Sequence, residues 1–200
     1  FFIDTATTEI NTLSLHDALP IWQEEAHQIN AACEAYRDEV SSEAAQFDLS
    51  KNEDLILAAM SQESSGQGTD PMQSSEGAYN ARYPQQPNGI TDPSYSISCG
   101  IQELKYALDK AGCTGPTDLS KIRLALQAYN FGADSYFAYL EENGQTVWTA
   151  QSAQAFAQMA SGGTQRDEDD PLHDPAGPWD YGDQYYPDHV LRYYHLDNNS

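Results

Sequence analysis

The chain has 200 residues, a net charge of −22 and an isoelectric point near 4.1. That length suits one ordinary domain, and nine Lys and Arg against thirty-one Asp and Glu exclude the basic face that nucleic acid demands. No apolar run is long enough to span a bilayer, and Cys33, Cys99 and Cys113 fit neither a disulfide framework nor closely paired zinc ligands.

Residues 3–21, IDTATTEINTLSLHDALPI, closely resemble the conceptual translation of a universal sequencing adapter, with Ile3 and Asn11 as departures. A secretion signal would need a positive start and a continuous apolar stretch. This segment has neither. Residues 1–21 are therefore expected to be non-native, and the fold is read from Trp22 onward.

From Trp22 to about Gln46, the residues Trp22, Ala26, Ile29, Cys33, Tyr36 and Val40 recur at three- and four-residue steps, which predicts an amphipathic helix. It is expected to dock outside the main domain or to act as a stalk over residues 22–47. Ser50-Lys51-Asn52-Glu53 has the Ser-x-x-Glu pattern of a capping box, so a second helix is expected from Lys51 to about Glu63, stopped by Gly66 and Gly68. Residues 65–93 are rich in Gly, Pro, Ser, Gln and Asn and read as a long irregular segment, of the kind that is usually functional or disordered. Asp92-Pro93 then supplies an N-cap and a first-turn proline. Ile97, Ile101, Leu104, Leu108 and Ala111 form the stripe of that helix, which Gly112 ends. Asp118 caps a further helix with Ile122, Ala125, Leu126 and Tyr129 on one face. Short helices are expected at 133–141, from Thr149 through AQSAQAFAQMA, and at DHVLRYY. The stretch 161–188, with its acid run RDEDDP, reads as solvated loop. The class is mainly helical.

Glu63 is the residue that does not belong. Leu55, Ala59 and Glu63 stand at i, i+4 and i+8, so the glutamate continues the apolar stripe. Desolvation there disfavours the charged form and raises the pKa, which is what a general acid near neutral pH requires. Asp70 follows on a glycine-interrupted loop, where a wetter setting is expected to keep it ionised. Two carboxyls in contrasting environments suggest glycosidic hydrolysis. On these two residues alone, a glutamate decorating a frayed helix end and an Asp-Pro turn remain the simpler description.

The segments ESSGQGTDPMQSSEG (63–77), YPQQPNGITDPSYSISCG (83–100), LALQAYNFG (124–132) and YYPDHVLRYY (185–194) together resemble the lysozyme-like muramidase domain of bacterial cell-wall hydrolases. These are the two-domain hydrolases of conjugative elements, more distantly related to goose-type lysozymes and soluble lytic transglycosylases. The resemblance implies a lysozyme-like catalytic domain over residues 48–194, with 195–200 as a tail or the start of a linker. It implies cleavage of the β-1,4 bond after N-acetylmuramic acid, peptidoglycan glycan strands as partner, action outside or on the surface of a bacterium, a monomer, and no cofactor or metal. By position, Glu63 matches the acid that protonates the leaving oxygen and Asp70 the proposed second carboxylate. Met72 and Gln73 match a block lining the saccharide groove. Tyr129 and Asn130 match a pair beneath the glutamate, where a tyrosine hydroxyl would orient the carboxyl. A lytic transglycosylase and a non-catalytic glycan-binding or secretion-assembly module are the alternatives. The peptidase domain common in the family is absent from this sequence, TQRDEDDPLHDPAGPWD is an acidic insertion, and the negative charge is awkward against an anionic wall. Cys99 reads as a small buried hydrophobe and not as a nucleophile. The late tyrosines Tyr181, Tyr185, Tyr186, Tyr193 and Tyr194 read as packing as readily as sugar stacking.

Overall fold

The computed structural model describes residues 27–195, so the adapter-like segment 1–21 lies outside the described residues. In chain order the helices are α1 (Ala31–Glu34), α2 (Arg37–Gln46), α3 (Glu53–Glu63), α4 (Pro93–Ala111), α5 (Leu119–Phe131), α6 (Ala133–Glu142), α7 (Ala150–Ala160), α8 (His173–Ala176) and α9 (Tyr186–Leu191). Strand structure among the described residues amounts to one isolated antiparallel bridge, Gln165 to Trp179.

The centre of the fold is α3. Leu55, Ile56, Leu57, Ala58, Ala59 and Met60 are all fully buried, so this helix has no wet face along its middle. A helix apolar all round must be enclosed, and α1, α2 and α9 pack around it. Beside them α4 and α5 form the most extensive helix pair, with α9 also laid against α5.

Several sequence signals act as expected. Asp92 accepts from the Tyr95 amide at the start of α4, with Pro93 in the first turn, and Gly112 closes that helix in the left-handed region at φ 69°. Asp118 caps α5, and Thr149 and Ser152 form a reciprocal capping box on α7.

Two expectations are corrected. The helix expected over 22–46 is, in its described part, two short ones, the first of them started by the Asn30 side chain, which takes the Ala32 and Cys33 amides. It is neither external nor a stalk: Cys33, Val40 and Ala44 are fully buried core residues, and α2 packs on both α3 and α4. The capping box at Ser50–Glu53 does not form either. Helix α3 begins at Glu53 behind Asn52, with no side-chain cap, and the Glu53 carboxylate instead accepts from the Ser41 hydroxyl of α2 at 2.9 Å.

The segment 64–92 contains no helix, yet it is pinned throughout. Ser64 Oγ donates to Pro71 O, Thr69 Oγ1 to Ile90 O, and Asn80 bonds both Ser75 O and Tyr83 O. Gly66 sits at φ 72° against α1, where a Cβ would lie 2.7 Å from the Cys33 amide nitrogen. Only glycine fits there.

Candidate active site

Glu63 is the last residue of α3, where the buried helix meets the pinned loop. Burial pushes its carboxyl up to about 7, with the charges of Asp183, Asp70 and Glu103 adding in that order and one hydrogen bond opposing them. The helix C-terminus acts in the same direction, since its partial negative charge disfavours a carboxylate. The opposing bond comes from Tyr186 on α9, whose hydroxyl donates to Glu63 Oε1 at 2.5 Å. A carboxyl half protonated near neutrality and held by a fixed donor is equipped to give a proton to a neighbouring oxygen.

The tyrosine is not the expected one. Tyr129 donates to the Met72 carbonyl at 2.9 Å and stacks on Tyr186 with ring centroids 6.2 Å apart. It thus backs the residue that holds Glu63. The missed signal lies in the block YYPDHVLRYY, whose Tyr186 is fully enclosed despite its hydroxyl; such a hydroxyl needs a partner. Asn130 is turned to a different task; its Oδ1 accepts from the Asp183 amide at 2.8 Å.

Asp70 is corrected in its setting. It is 1% exposed, not on a wet loop. Each carboxylate oxygen accepts two hydrogen bonds. Oδ1 receives Ser74 N at 3.0 Å and Ser96 Oγ at 2.6 Å, while Oδ2 receives Ser75 N at 3.1 Å and the Ser75 hydroxyl. Four neutral donors saturate an ionised carboxylate, which has about four lone-pair positions. No oxygen is left over to take a proton from water. The residue ties the loop to α4 through Ser96.

Met72 lines no groove. Its side chain is fully buried against Gly100 of α4, where a Cβ would come within 2.6 Å of the methionine Cβ. Gln73 is exposed in the left-handed region at φ 49°, and its Nε2 donates to Asp70 O and Asn88 Oδ1. Along α4, Ser96, Gly100 and Glu103 form one stripe facing the loop, and the last was not foreseen. Burial pushes Glu103 up to about 7 against the opposing amides of Tyr79 and Ala78. Its carboxylate lies so near Gly77 that a Cβ there would be 1.6 Å from Oε1. Cys99 is fully buried and burial pushes its thiol up, so it is not an activated nucleophile. Two open hollows of about 490 and 380 Å³ lie elsewhere, around Lys110 and Phe137 and around Lys51 and Cys113; neither includes Glu63.

The lysozyme-like family profile matches residues 31–194. The chain belongs to the lysozyme-like family. This lysozyme-like chain is 37% identical over 139 residues to the bifunctional muramidase/DL-endopeptidase CwlT of Bacillus subtilis, covering 70% of this chain and 34% of that protein. It is 34% identical over 122 residues to pneumococcal vaccine antigen A of Streptococcus pneumoniae, covering 60% of this chain and 53% of that one. A crystal structure from Staphylococcus aureus, described as similar to a lipoprotein of the NLP/P60 family, superposes with a TM-score of 0.69 at 26% identity, over 87% of this chain and 56% of that chain. The chain thus spans about a third to a half of the length of these relatives.

Two changes probe this site. Asp70→Asn turns one acceptor oxygen into a donor facing donors, and should lower stability by about 2 kcal/mol or more, read from the thermal or urea midpoint. A variant as stable as the parent would contradict the four-bond arrangement. Tyr186→Phe removes the bond that favours ionised Glu63, so the glutamate should titrate above its present value of about 7. Any activity that needs the protonated form should then extend to higher pH. An alkaline limb that stays in place or moves to lower pH would contradict the role of the hydroxyl.

Proposed function

We propose that this protein is a peptidoglycan-cleaving glycosidase, acting on the β-1,4 bond between N-acetylmuramic acid and N-acetylglucosamine with Glu63 as general acid. The observation that carries the reading is the Glu63 carboxyl, raised to about 7 at the end of a buried helix and held by Tyr186. Membership of the lysozyme-like family supports it, as does a relative whose name includes a muramidase activity. In the reaction Glu63 gives its proton to the glycosidic oxygen as the C1–O bond breaks, and the departing N-acetylglucosamine leaves as a neutral alcohol. Peptidoglycan as partner and action at the bacterial cell surface follow from this reading. Asp70 holds the loop that borders Glu63 in place; with both oxygens taken, it is not the water-activating base.

That last feature favours a second reading. A lytic transglycosylase needs one glutamate only, because the C6 hydroxyl of the muramic acid itself closes an anhydro ring. Mass spectrometry of digested peptidoglycan separates the two. Hydrolysis yields reducing-end muramic acid, and transglycosylation a product lighter by one water. Under either reading Glu63→Gln keeps the side-chain shape, cannot donate the proton, and should lower muralytic activity by about 10²–10⁴-fold with the fold intact. A variant within about threefold of the parent would sink the assignment.

A further inference from the structure

Between the acidic insertion and α9 the chain carries a second acid that acts on Glu63 more strongly than Asp70 does: Asp183. Its backbone is fixed on both sides by α5. The Asp183 amide donates to Asn130 Oδ1 at 2.8 Å, and its carbonyl accepts from Gln127 Nε2 at 2.8 Å. Gln127 is in turn oriented by Trp148 Nε1 at 2.9 Å. Just upstream, Gly182 packs so tightly on α5 that a Cβ would lie 2.7 Å from Asn130 Oδ1, and the Arg166 guanidinium clamps the carbonyls of Gly182 and Gly177 at 2.7 and 2.5 Å. So much fixing of one short segment places a side chain firmly.

That side chain holds a histidine. Asp183 Oδ1 accepts from the Tyr185 amide at 2.9 Å, and Oδ2 lies 2.6 Å from His189 Nδ1. A carboxylate only accepts, so Nδ1 carries the proton and Nε2 of the neutral ring is the basic nitrogen. Nε2 has no hydrogen-bond partner among the described residues. His189 stands three residues after Tyr186 on α9, hence on the same side of the helix, one turn from the residue that grips Glu63. The two side chains are 18% and 15% exposed, open to a water but largely enclosed.

We propose that His189, oriented by Asp183, is the base that activates the attacking water in a hydrolytic reaction at this site. The proposal rests on Glu63 being the general acid. Glu63 protonates the leaving oxygen as the C1–O bond breaks. The water oxygen bonds to C1 from the opposite face, and its proton passes to His189 Nε2. Asp183 stabilises the imidazolium, which is the usual work of a carboxylate behind a histidine. The product is a reducing-end sugar of inverted anomeric configuration. His189 then releases its proton to solvent and Glu63 regains one. In these terms His189 is a catalytic residue and Asp183 a positioning residue.

The test uses the full chain and purified peptidoglycan, with product configuration read by NMR and mass by mass spectrometry. His189→Asn retains a donor toward Asp183 where Nδ1 stood and removes Nε2. It should lower kcat by about 10²–10⁴-fold, change KM much less, and melt within a few degrees of the parent. Azide, which needs no deprotonation, should restore bond cleavage in this variant and yield a glycosyl azide of inverted configuration. His189→Gln, with a longer side chain, is the second variant should Asn disturb the fold. Activity within about threefold of the parent, or a lowered kcat that azide does not rescue in a folded variant, would overturn the role of His189 and leave Glu63 untouched. Anhydro products from the parent protein would overturn it too, while a fully active Glu63→Gln would remove the reading beneath it.

Discussion

A carboxyl at the end of a helix with no polar face is the constraint from which the rest of the site follows. Helix α3 is enclosed along its middle and leaves the core at its C-terminal end, where Glu63 is half-buried. The side chain there is too desolvated to ionise freely and too polar to go unbonded. Tyr186 supplies the bond, and Tyr129 stacks behind it and anchors on the Met72 carbonyl. The three acids that raise Glu63 stand on three different segments: Asp183 before α9, Asp70 in the loop after α3, and Glu103 on α4. The proton affinity of one residue therefore depends on the assembly of the whole domain.

Asp70 illustrates how a loop without secondary structure can still be rigid. A buried carboxylate with no donors would be costly, but four neutral donors from Ser74, Ser75 and Ser96 compensate it and fix the loop against α4 in the same stroke. Met72 and Gly100 close the contact further along, and Glu103 faces Gly77 beyond them. Arg166 does comparable work for the acidic insertion: its guanidinium caps two backbone carbonyls and so anchors the insertion to the residue before Asp183.

The helices were legible because their signals are local. The stripe Leu55, Ala59, Glu63 announced a desolvated glutamate, and Asp92, Asp118 and Thr149 announced three helix starts. Ser50 misled because a capping box is a pattern of types, whereas the Glu53 carboxylate found a stronger claim in Ser41, twelve residues back. The site itself was half legible. Glu63 and Tyr186 are 123 positions apart, and Asp70 and Ser96 are 26 apart. No periodicity encodes which hydroxyl will face which carboxyl once the helices pack. Composition suggested a wet loop around Asp70, since Gly, Ser and Gln are polar, yet those same serines are the donors that allow the acid to be buried.

The central claim is that Glu63 keeps its proton near neutral pH because the fold desolvates it. Carboxyl ¹³C NMR on the protein labelled at glutamate, with the Glu63 resonance assigned through Glu63→Gln, reads this directly. The account predicts a titration midpoint for Glu63 near about 7, far from an ordinary glutamate. A midpoint near 4.3, the ordinary value, would contradict it.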